Sequence, residues 1–193
     1  MPAAPLILAS SSPRRRQLLA EAGFEFTVIA PHESAEDDAA PHETPQQLVA
    51  RLAFQKARDV AQRVDRSLIL GCDTVAECDG LILGKPANRQ HAREMLQRLR
   101  GREHFVYSGL CLWLRPNDVV RTEIDTTRLR MEPFSDAQLE AYLDTDAWCG
   151  KAGAFGYQDG LDWVQILAGS ESNVVGLPLE MLRRMMASQL GTG

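Results

Sequence analysis

The sequence predicts a mixed α/β domain, in which helices flank a twisted sheet of parallel and antiparallel strands. Short apolar runs alternate with helical patterns in the first half of the chain, as they do in βαβ units. Turn signals then interrupt this alternation at Asp79-Gly80 and at Pro116 to Asp118, and they indicate hairpins. The chain has 193 residues, of which 45% are hydrophobic. We therefore expect a single domain over residues 1–193 with a sizeable core.

The N-terminal elements are predicted by apolar runs and capping residues. Leu6 to Ala9 is an apolar run typical of a buried strand. Ser12-Pro13 supplies a helix cap and a first helical residue, and Gly23 ends that helix. Phe24 to Ile29 is predicted to be the next strand, and the acidic segment Pro31 to Thr44 is predicted to be a loop.

The middle of the chain predicts two helices with a hairpin between them. Thr44-Pro45 begins a helix with an apolar face. Ser67 to Ala76 is rich in strand-forming residues, and the Asp79-Gly80 turn returns the chain into Leu81 to Leu83. Asn88 caps the next helix, which ends near Gly101.

The C-terminal part predicts a long hairpin, a loop and two helices. The spacing of Ser135 and Gln138 indicates a capping box for a helix that reaches Leu143. The other predicted elements are strands at Phe105 to Leu114, Val119 to Met131 and Trp163 to Leu167, a glycine-rich loop at Trp148 to Gly160, and a closing helix from Pro178 to Leu190.

Composition and charge exclude several classes of protein. The formal net charge of −5 argues against general nucleic-acid binding, because such binding uses excess basic charge. No run of about 18 apolar residues suggests a membrane span, and the first residues do not resemble a signal peptide. The four cysteines form no C-x-x-C pair and predict small buried side chains in a reducing compartment. We therefore expect a cytoplasmic protein.

Ser10 to Arg16 is the first candidate site. An apolar strand leads here into a serine-rich turn and a helix start that carries Arg14 and two further arginines. The N–H groups at a helix start bind anions, and arginine forks fit phosphate oxygens. A solvated surface helix with an ordinary N-cap is an equal alternative on composition alone.

Asp73 and Lys85 are the next candidates. Asp73 follows the apolar run Leu68 to Leu70, and carboxylates in such places serve as metal ligands or general bases, although turn capping is the more common role. Gly80 to Pro86 resembles a P-loop, but its glycine spacing is too short and Pro86 replaces the residue that binds magnesium. A P-loop nucleotidase is therefore excluded, and Lys85 is either a phosphate ligand or a solvated lysine.

The segment Gly150 to Gln158 is the fourth candidate. Its small residues permit close approach of the backbone to a ligand. Lys151 offers a positive charge, and Gln158 offers an amide that can both donate and accept hydrogen bonds. A mobile surface loop is the alternative, which the flanking aromatic residues Trp148 and Trp163 make less attractive.

Together, five segments resemble the Maf family of nucleoside triphosphate pyrophosphatases. They are Leu6 to Leu19, Gly71 to Thr74, Asp79 to Pro86, Gly150 to Gln158 and Ser172 to Pro178. Each is weak alone, but five in family order across nearly the whole chain are specific. The resemblance implies the Maf/ITPase-like architecture of two α/β lobes around a deep cleft, commonly in a homodimer.

The resemblance also implies an activity, which is hydrolysis of a nucleoside triphosphate to the monophosphate and pyrophosphate. A divalent metal, Mg²⁺ or Mn²⁺, would assist. Asp73 matches the family's proposed proton acceptor. Arg14, Thr74 and Gln158 match positions associated with base selection, and all three resemble the subgroup that hydrolyses dTTP and UTP.

The other site residues are hypotheses from side-chain chemistry and position. Glu33 and Asp73 are oxygen donors suited to magnesium, and we expect Asp73 to orient or deprotonate a metal-activated water for attack on the α-phosphorus. The substrate carries about four negative charges. Its predicted ligands are Ser10, Arg14, Lys56, Lys85 and Lys151.

Two other functions compete with this one. The first is a pyrophosphatase for 7-methyl-GTP or another modified nucleotide. The second is a regulator of cell division or septum formation that binds nucleotides or nucleic acid and releases no pyrophosphate. Glu33 and Asp73 favour the enzyme, because carboxylates repel phosphates unless a metal intervenes.

Overall fold

The computed structural model describes residues 4–36 and 42–190, so part of the predicted acidic loop, residues 37–41, lies outside the described residues. Its seven strands form one sheet in the order β2-β1-β3-β5-β6-β7, with β4 paired to β3. The strands are β1 (Leu6–Ala9), β2 (Phe26–Val28), β3 (Leu68–Cys78), β4 (Leu81–Leu83), β5 (Glu103–Leu114), β6 (Val119–Met131) and β7 (Val164–Ala168).

The sheet is mixed, as predicted. β1 pairs in parallel with β2 and β3, whereas β3 with β4 and β6 with β7 are antiparallel pairs. At the predicted hairpin turn, Asp79 and Gly80 have φ angles of 52° and 78°, and a positive φ at both positions is what a type I′ hairpin turn requires.

The helices begin where the capping residues predict. They are α1 (Pro13–Glu21), α2 (Pro45–Ala61), α3 (Arg89–Leu99), α4 (Asp136–Leu143), α5 (Glu171–Val175) and α6 (Leu179–Leu190). Ser12 and Asn88 cap α1 and α3 through their side chains, and Thr44 and Ser135 form capping boxes at α2 and α4. The prediction missed α5, because five residues are too few to show helical periodicity.

The chain divides into two compact units, each made of separate chain segments. The first unit comprises the described residues up to Asp73, Ser108–Asp125 and the described residues from Gly176 onward. The second comprises Thr74–Tyr107 and Thr126–Val175. The two units agree with the two lobes that the family resemblance implies.

The first unit buries side chains on both faces of its strands. Leu6 and Leu8 join one buried cluster together with residues of α1 and α6, while Ile7 joins another with Ala53 and Ala57 of α2. Successive residues of a strand point to opposite faces, so this alternation places helices on both faces of the sheet.

Two glycines allow α2 to lie directly on the strands of the first unit. A Cβ atom at Gly71 would lie 2.2 Å from the carbonyl oxygen of Ala53, and one at Gly109 would lie 2.3 Å from that of Val49. No side chain fits in such a gap. This close contact positions Lys56, which lies on α2 between Ala53 and Ala57.

The second unit has a core of helices and aromatic side chains. Leu96 and Leu99 of α3 pack with Leu139 of α4, and the loops contribute Trp148 and Phe155 to the same cluster. The loop Trp148 to Gly160 is therefore well packed, and it contains two short 3₁₀ helices, Ala152–Ala154 and Tyr157–Asp159.

The prediction of buried cysteines is confirmed at three of four positions. Cys72, Cys78 and Cys111 are buried thiols, whereas Cys149 is exposed. The prediction is wrong at Cys149 because this residue lies where the chain leaves the buried Trp148 and turns through Gly150 at a positive φ. No helix in the described part of the chain is both long enough and apolar enough to cross a membrane.

Candidate functional site

A buried lysine held by two carboxylates is the central polar feature of the first unit. The Nζ atom of Lys56 lies 2.6 Å from Oδ1 of Asp73 and 3.1 Å from Oε2 of Glu36. The side chains of Lys56 and Asp73 are only 9% and 13% exposed. A buried ammonium requires such partners, because burying it without a counter-charge would cost on the order of several kcal/mol of folding free energy.

Asp73 has this position because of the strand pairing. It lies inside β3, two residues after Gly71, where the parallel pairing with β1 ends. Its neighbour Thr74 is half-buried and begins the second unit's part of β3. The candidate general base therefore lies just past the carboxyl end of β1, where α/β proteins commonly place polar site residues.

Among the described acidic residues near residue 33, Glu36 reaches Lys56. Glu33, the predicted metal ligand, begins the 3₁₀ helix Glu33–Ala35 and is exposed. Sequence reasoning did not single out Glu36, because several acidic residues in this loop share the same signal. Within residues 4–36 and 42–190, no group of three or more His, Cys, Asp and Glu side chains could hold a metal ion.

The first unit also brings three of the sequence motifs together at the carbonyl oxygen of Gly176. Arg15 donates from Nε to this oxygen at 2.9 Å, and the thiol of Cys72 lies 3.4 Å from it. Arg15 also donates to the hydroxyl oxygen of Ser10, 3.4 Å away. Arg15 thus joins the serine-rich turn to the segment that precedes α6.

Ser10 itself is buried, and its hydroxyl accepts a hydrogen bond from the backbone N–H of Ser12 at 3.2 Å. Arg14 lies half-buried in the first turn of α1. The sequence indicated Arg14 for substrate binding, and it did not indicate that the adjacent Arg15 would make the contacts to Ser10 and Gly176. Two neighbouring arginines carry the same sequence signal, and only the helix orientation distinguishes them.

In the second unit, the Gly80 to Pro86 segment meets the Gly150 to Gln158 segment. The backbone N–H of Gly153 donates to the carbonyl oxygen of Gly84 at 3.1 Å. Lys85 is exposed beside this contact. Two predicted site segments therefore share a hydrogen bond although about 70 residues separate them.

Lys151, a predicted phosphate ligand, forms a largely buried ion pair with Asp159. Its Nζ atom contacts both carboxylate oxygens, Oδ1 and Oδ2, the latter at 2.5 Å. Tyr142 donates its hydroxyl to Oδ2 of Asp159 at 2.8 Å. Sequence reasoning missed Asp159 and Tyr142, because neither belongs to a motif with a recognisable spacing.

Gln158, the predicted base reader, lies on the 3₁₀ turn Tyr157–Asp159 and is exposed. Its neighbour Asp159 points into the ion pair with Lys151. The turn therefore directs the Asp159 side chain inward and leaves the preceding Gln158 side chain exposed to solvent.

Comparison with known proteins supports the resemblance read from the motifs. The model of the Maf-like protein family matches residues 5–189 of this chain. A dTTP/UTP pyrophosphatase of Rhodopirellula baltica is 53% identical over 182 residues, which cover 94% of this chain and 80% of that protein. A protein of the same name from Halalkalibacterium halodurans is 43% identical over 183 residues, with 94% of each chain covered.

A solved structure also matches over most of the chain. It is a nucleoside-triphosphatase, or dITP/XTP pyrophosphatase, of Mycobacterium abscessus, with 13% identity and a TM-score of 0.43 over 96% of this chain and 93% of that chain.

Proposed function

The chain belongs to the Maf family, and from this premise we propose that it hydrolyses nucleoside triphosphates, in particular dTTP and UTP, to the monophosphate and pyrophosphate. The observation that carries the proposal is its similarity, over 94% of the chain, to proteins named dTTP/UTP pyrophosphatase. The protein is accordingly a hydrolase acting on nucleoside triphosphates.

Asp73 is the residue that we assign to the attacking water. Its Oδ1 atom accepts a hydrogen bond from Lys56 at 2.6 Å, which keeps the carboxylate in one orientation. The Oδ2 atom, which has no such contact among the described residues, would accept a proton from the water as its oxygen attacks the α-phosphorus. The bond to the bridging oxygen then breaks, and pyrophosphate leaves.

The two carboxylates around Lys56 fit a divalent metal by their chemistry. Magnesium is commonly bound by one or two carboxylates together with substrate phosphates and water, and Glu36 and Asp73 already share one cation, the Lys56 ammonium. We propose that Asp73, with Glu36 or the predicted Glu33, holds Mg²⁺ or Mn²⁺. Such a metal would supply charge neutralisation for the phosphates.

Recognition of the base is assigned to Arg14, Thr74 and Gln158, as the family resemblance implies. Gln158 supports this assignment by its exposure and its amide, which can pair with the O4 and N3–H groups of uracil or thymine. Ser10, Arg14 and Lys85 remain the predicted ligands of the triphosphate.

The decisive experiment measures pyrophosphate release from dTTP, UTP, CTP, GTP and 7-methyl-GTP. We expect dTTP and UTP to have the highest kcat/KM, and a chelator to abolish turnover until Mg²⁺ or Mn²⁺ is restored. Preference for 7-methyl-GTP would contradict the proposed substrate, and turnover that resists the chelator would contradict the metal.

Asp73→Asn tests the role of the carboxylate. We expect kcat to fall by about 10²- to 10⁴-fold, the usual contribution of a general base, with nucleotide binding largely kept. Asp65→Asn, an exposed aspartate of the same unit, is the matched control and should keep full activity. Near-normal hydrolysis by Asp73→Asn would remove this residue from the mechanism.

We further propose that the enzyme works in the cytoplasm as a homodimer. The thiol state of all four cysteines is compatible with a reducing compartment. The homodimer follows from the family resemblance.

A further inference from the structure

The cluster formed by Lys151, Asp159 and Tyr142 has no place in the mechanism above. Lys151 is 9% exposed as a residue, and both oxygens of Asp159 contact its Nζ atom. Tyr142, which is also buried, adds a hydrogen bond to Asp159. The ammonium is thus largely neutralised by one carboxylate, and the carboxylate has a second donor that fixes its orientation.

A glycine beneath the ion pair shows how closely this cluster is packed. A Cβ atom at Gly156 would lie 2.5 Å from Nζ of Lys151 and 2.7 Å from the nearest carboxylate oxygen of Asp159. The carbonyl oxygen of Gly156 accepts the backbone N–H of Asp159 at 3.1 Å. The side chain and the backbone of Asp159 are therefore both held, from two sides of the same turn.

The held residue is the immediate neighbour of Gln158. Both belong to the 3₁₀ turn Tyr157–Asp159, and a 3₁₀ helix has about three residues per turn, so adjacent side chains point about 120° apart. When Asp159 is fixed inward, the direction of Gln158 is fixed outward. If Asp159 lost its contacts with Lys151 and Tyr142, the turn could rotate, and the amide of Gln158 would no longer have a fixed direction.

We propose that Asp159 is a positioning residue for base selection, which orients Gln158 through its contacts with Lys151 and Tyr142. The proposal rests on the proposed function, because it deepens the role assigned there to Gln158. Lys151 then serves selection through the turn, and its charge is used by Asp159 and not by the phosphates of the substrate.

The proposal also explains why a carboxylate is needed at position 159. An asparagine of the same size would offer one acceptor oxygen and would leave the Lys151 ammonium without a counter-charge in a buried place, which is unfavourable. The turn would then lose its inward anchor even though the fold of the unit is kept by its apolar core.

The test compares kcat/KM for UTP and for CTP, which differ at the base edge that Gln158 would read. For Asp159→Asn we expect the ratio of UTP to CTP to fall about tenfold, the effect of one misdirected hydrogen bond. For Tyr142→Phe, which removes one donor to Asp159 and keeps the ring, we expect a fall of about threefold. The second variant keeps the test valid if the first does not fold.

Lys151→Met separates positioning from phosphate binding. If Lys151 acts through the turn, the UTP to CTP ratio falls, and the effects of Lys151→Met and Asp159→Asn are not additive in the double variant. If Lys151 instead binds phosphate, KM rises equally for both nucleotides with the ratio unchanged, and the proposal is overturned.

Asp144→Asn is the matched control, because Asp144 is an exposed aspartate of the same unit that pairs with Arg89. It should leave the ratio unchanged. Equal losses for UTP and CTP in Asp159→Asn and Tyr142→Phe would show a merely structural role and overturn the proposal while the proposed function stands. Absence of turnover by the wild-type protein would overturn the proposed function, and with it the inference.

Discussion

Single residues in this protein show how burial changes the role of a charge. Lys56 and Lys151 are both buried lysines. Lys56 forms ion pairs with two carboxylates, whereas Lys151 forms an ion pair with one. Each carboxylate at Lys56 contacts the ammonium through one oxygen, whereas both oxygens of Asp159 contact Lys151 and one of them also accepts from Tyr142. We therefore assign Lys56 to the reacting site and Lys151 to the support of Gln158.

His104 gives a prediction at the residue scale. Burial of its ring, which contacts the edge of Phe155, lowers the pKa of His104 from 6.5 to about 4. Between these values the unfolded chain binds a proton that the folded protein does not, so stability falls as the pH is lowered from about 6.5 to about 4. The loss amounts to about 3 kcal/mol when complete.

His104→Leu should remove this contribution. We expect the free energy of unfolding in urea to depend less on pH between 7 and 4.5 in the variant than in the wild type. His42→Leu, a change at an exposed histidine, is the control and should keep the wild-type slope. The same pH dependence in all three proteins would contradict the assignment.

At the scale of elements, the glycines of the strands determine where α2 lies. Gly71 belongs to the GCDT motif, and its absent side chain lets the carbonyl oxygen of Ala53 approach β3. This close approach of α2 to β3 also places Lys56 within 2.6 Å of Asp73. The glycine of this motif thus serves the packing that aligns Asp73, the proposed general base, with Lys56.

Gly71→Ala should destabilise the protein by about 3 kcal/mol, because the new methyl group would lie 2.2 Å from a backbone oxygen that cannot move alone. Thermal or urea unfolding measures the loss. Gly84→Ala is the control, since a Cβ atom there meets nothing within 4 Å. Equal stability of the two variants would show that α2 adjusts without cost.

At the scale of the whole molecule, the average charge conceals the distribution that function requires. The formal net charge is −5, but the basic groups proposed for the substrate come from separate segments of the chain. An acidic protein can bind a polyphosphate when its basic groups converge and a metal screens its carboxylates.

The proposed homodimer is tested at this scale. Light scattering coupled to gel filtration should give twice the mass of one chain at micromolar concentration. A mass of one chain at all concentrations would contradict the dimer. It would leave the assignment of Asp73 unaffected, because the contacts of Lys56 with Asp73 and with Glu36 lie within one chain.

Much of the fold could be predicted from local signals. The capping residues Ser12, Thr44, Asn88 and Ser135 located four helix starts, because a cap acts within one turn of its own helix. The short α5 was missed, since it has too few residues for a periodic pattern, and the exposure of Cys149 depends on how a loop leaves the core.

The sequence by itself determined the family and the mixed sheet, and it made Asp73 the candidate general base, because motif order, hairpin turns and apolar runs are properties of neighbouring residues. Only the tertiary structure decided that Glu36 reaches Lys56, that Arg15 binds Gly176, and that Lys151 is paired with Asp159. These contacts depend on burial and on direction in space. Neighbouring side chains of one chemical type cannot be distinguished by their sequence pattern. The fold determines which of them contacts a partner.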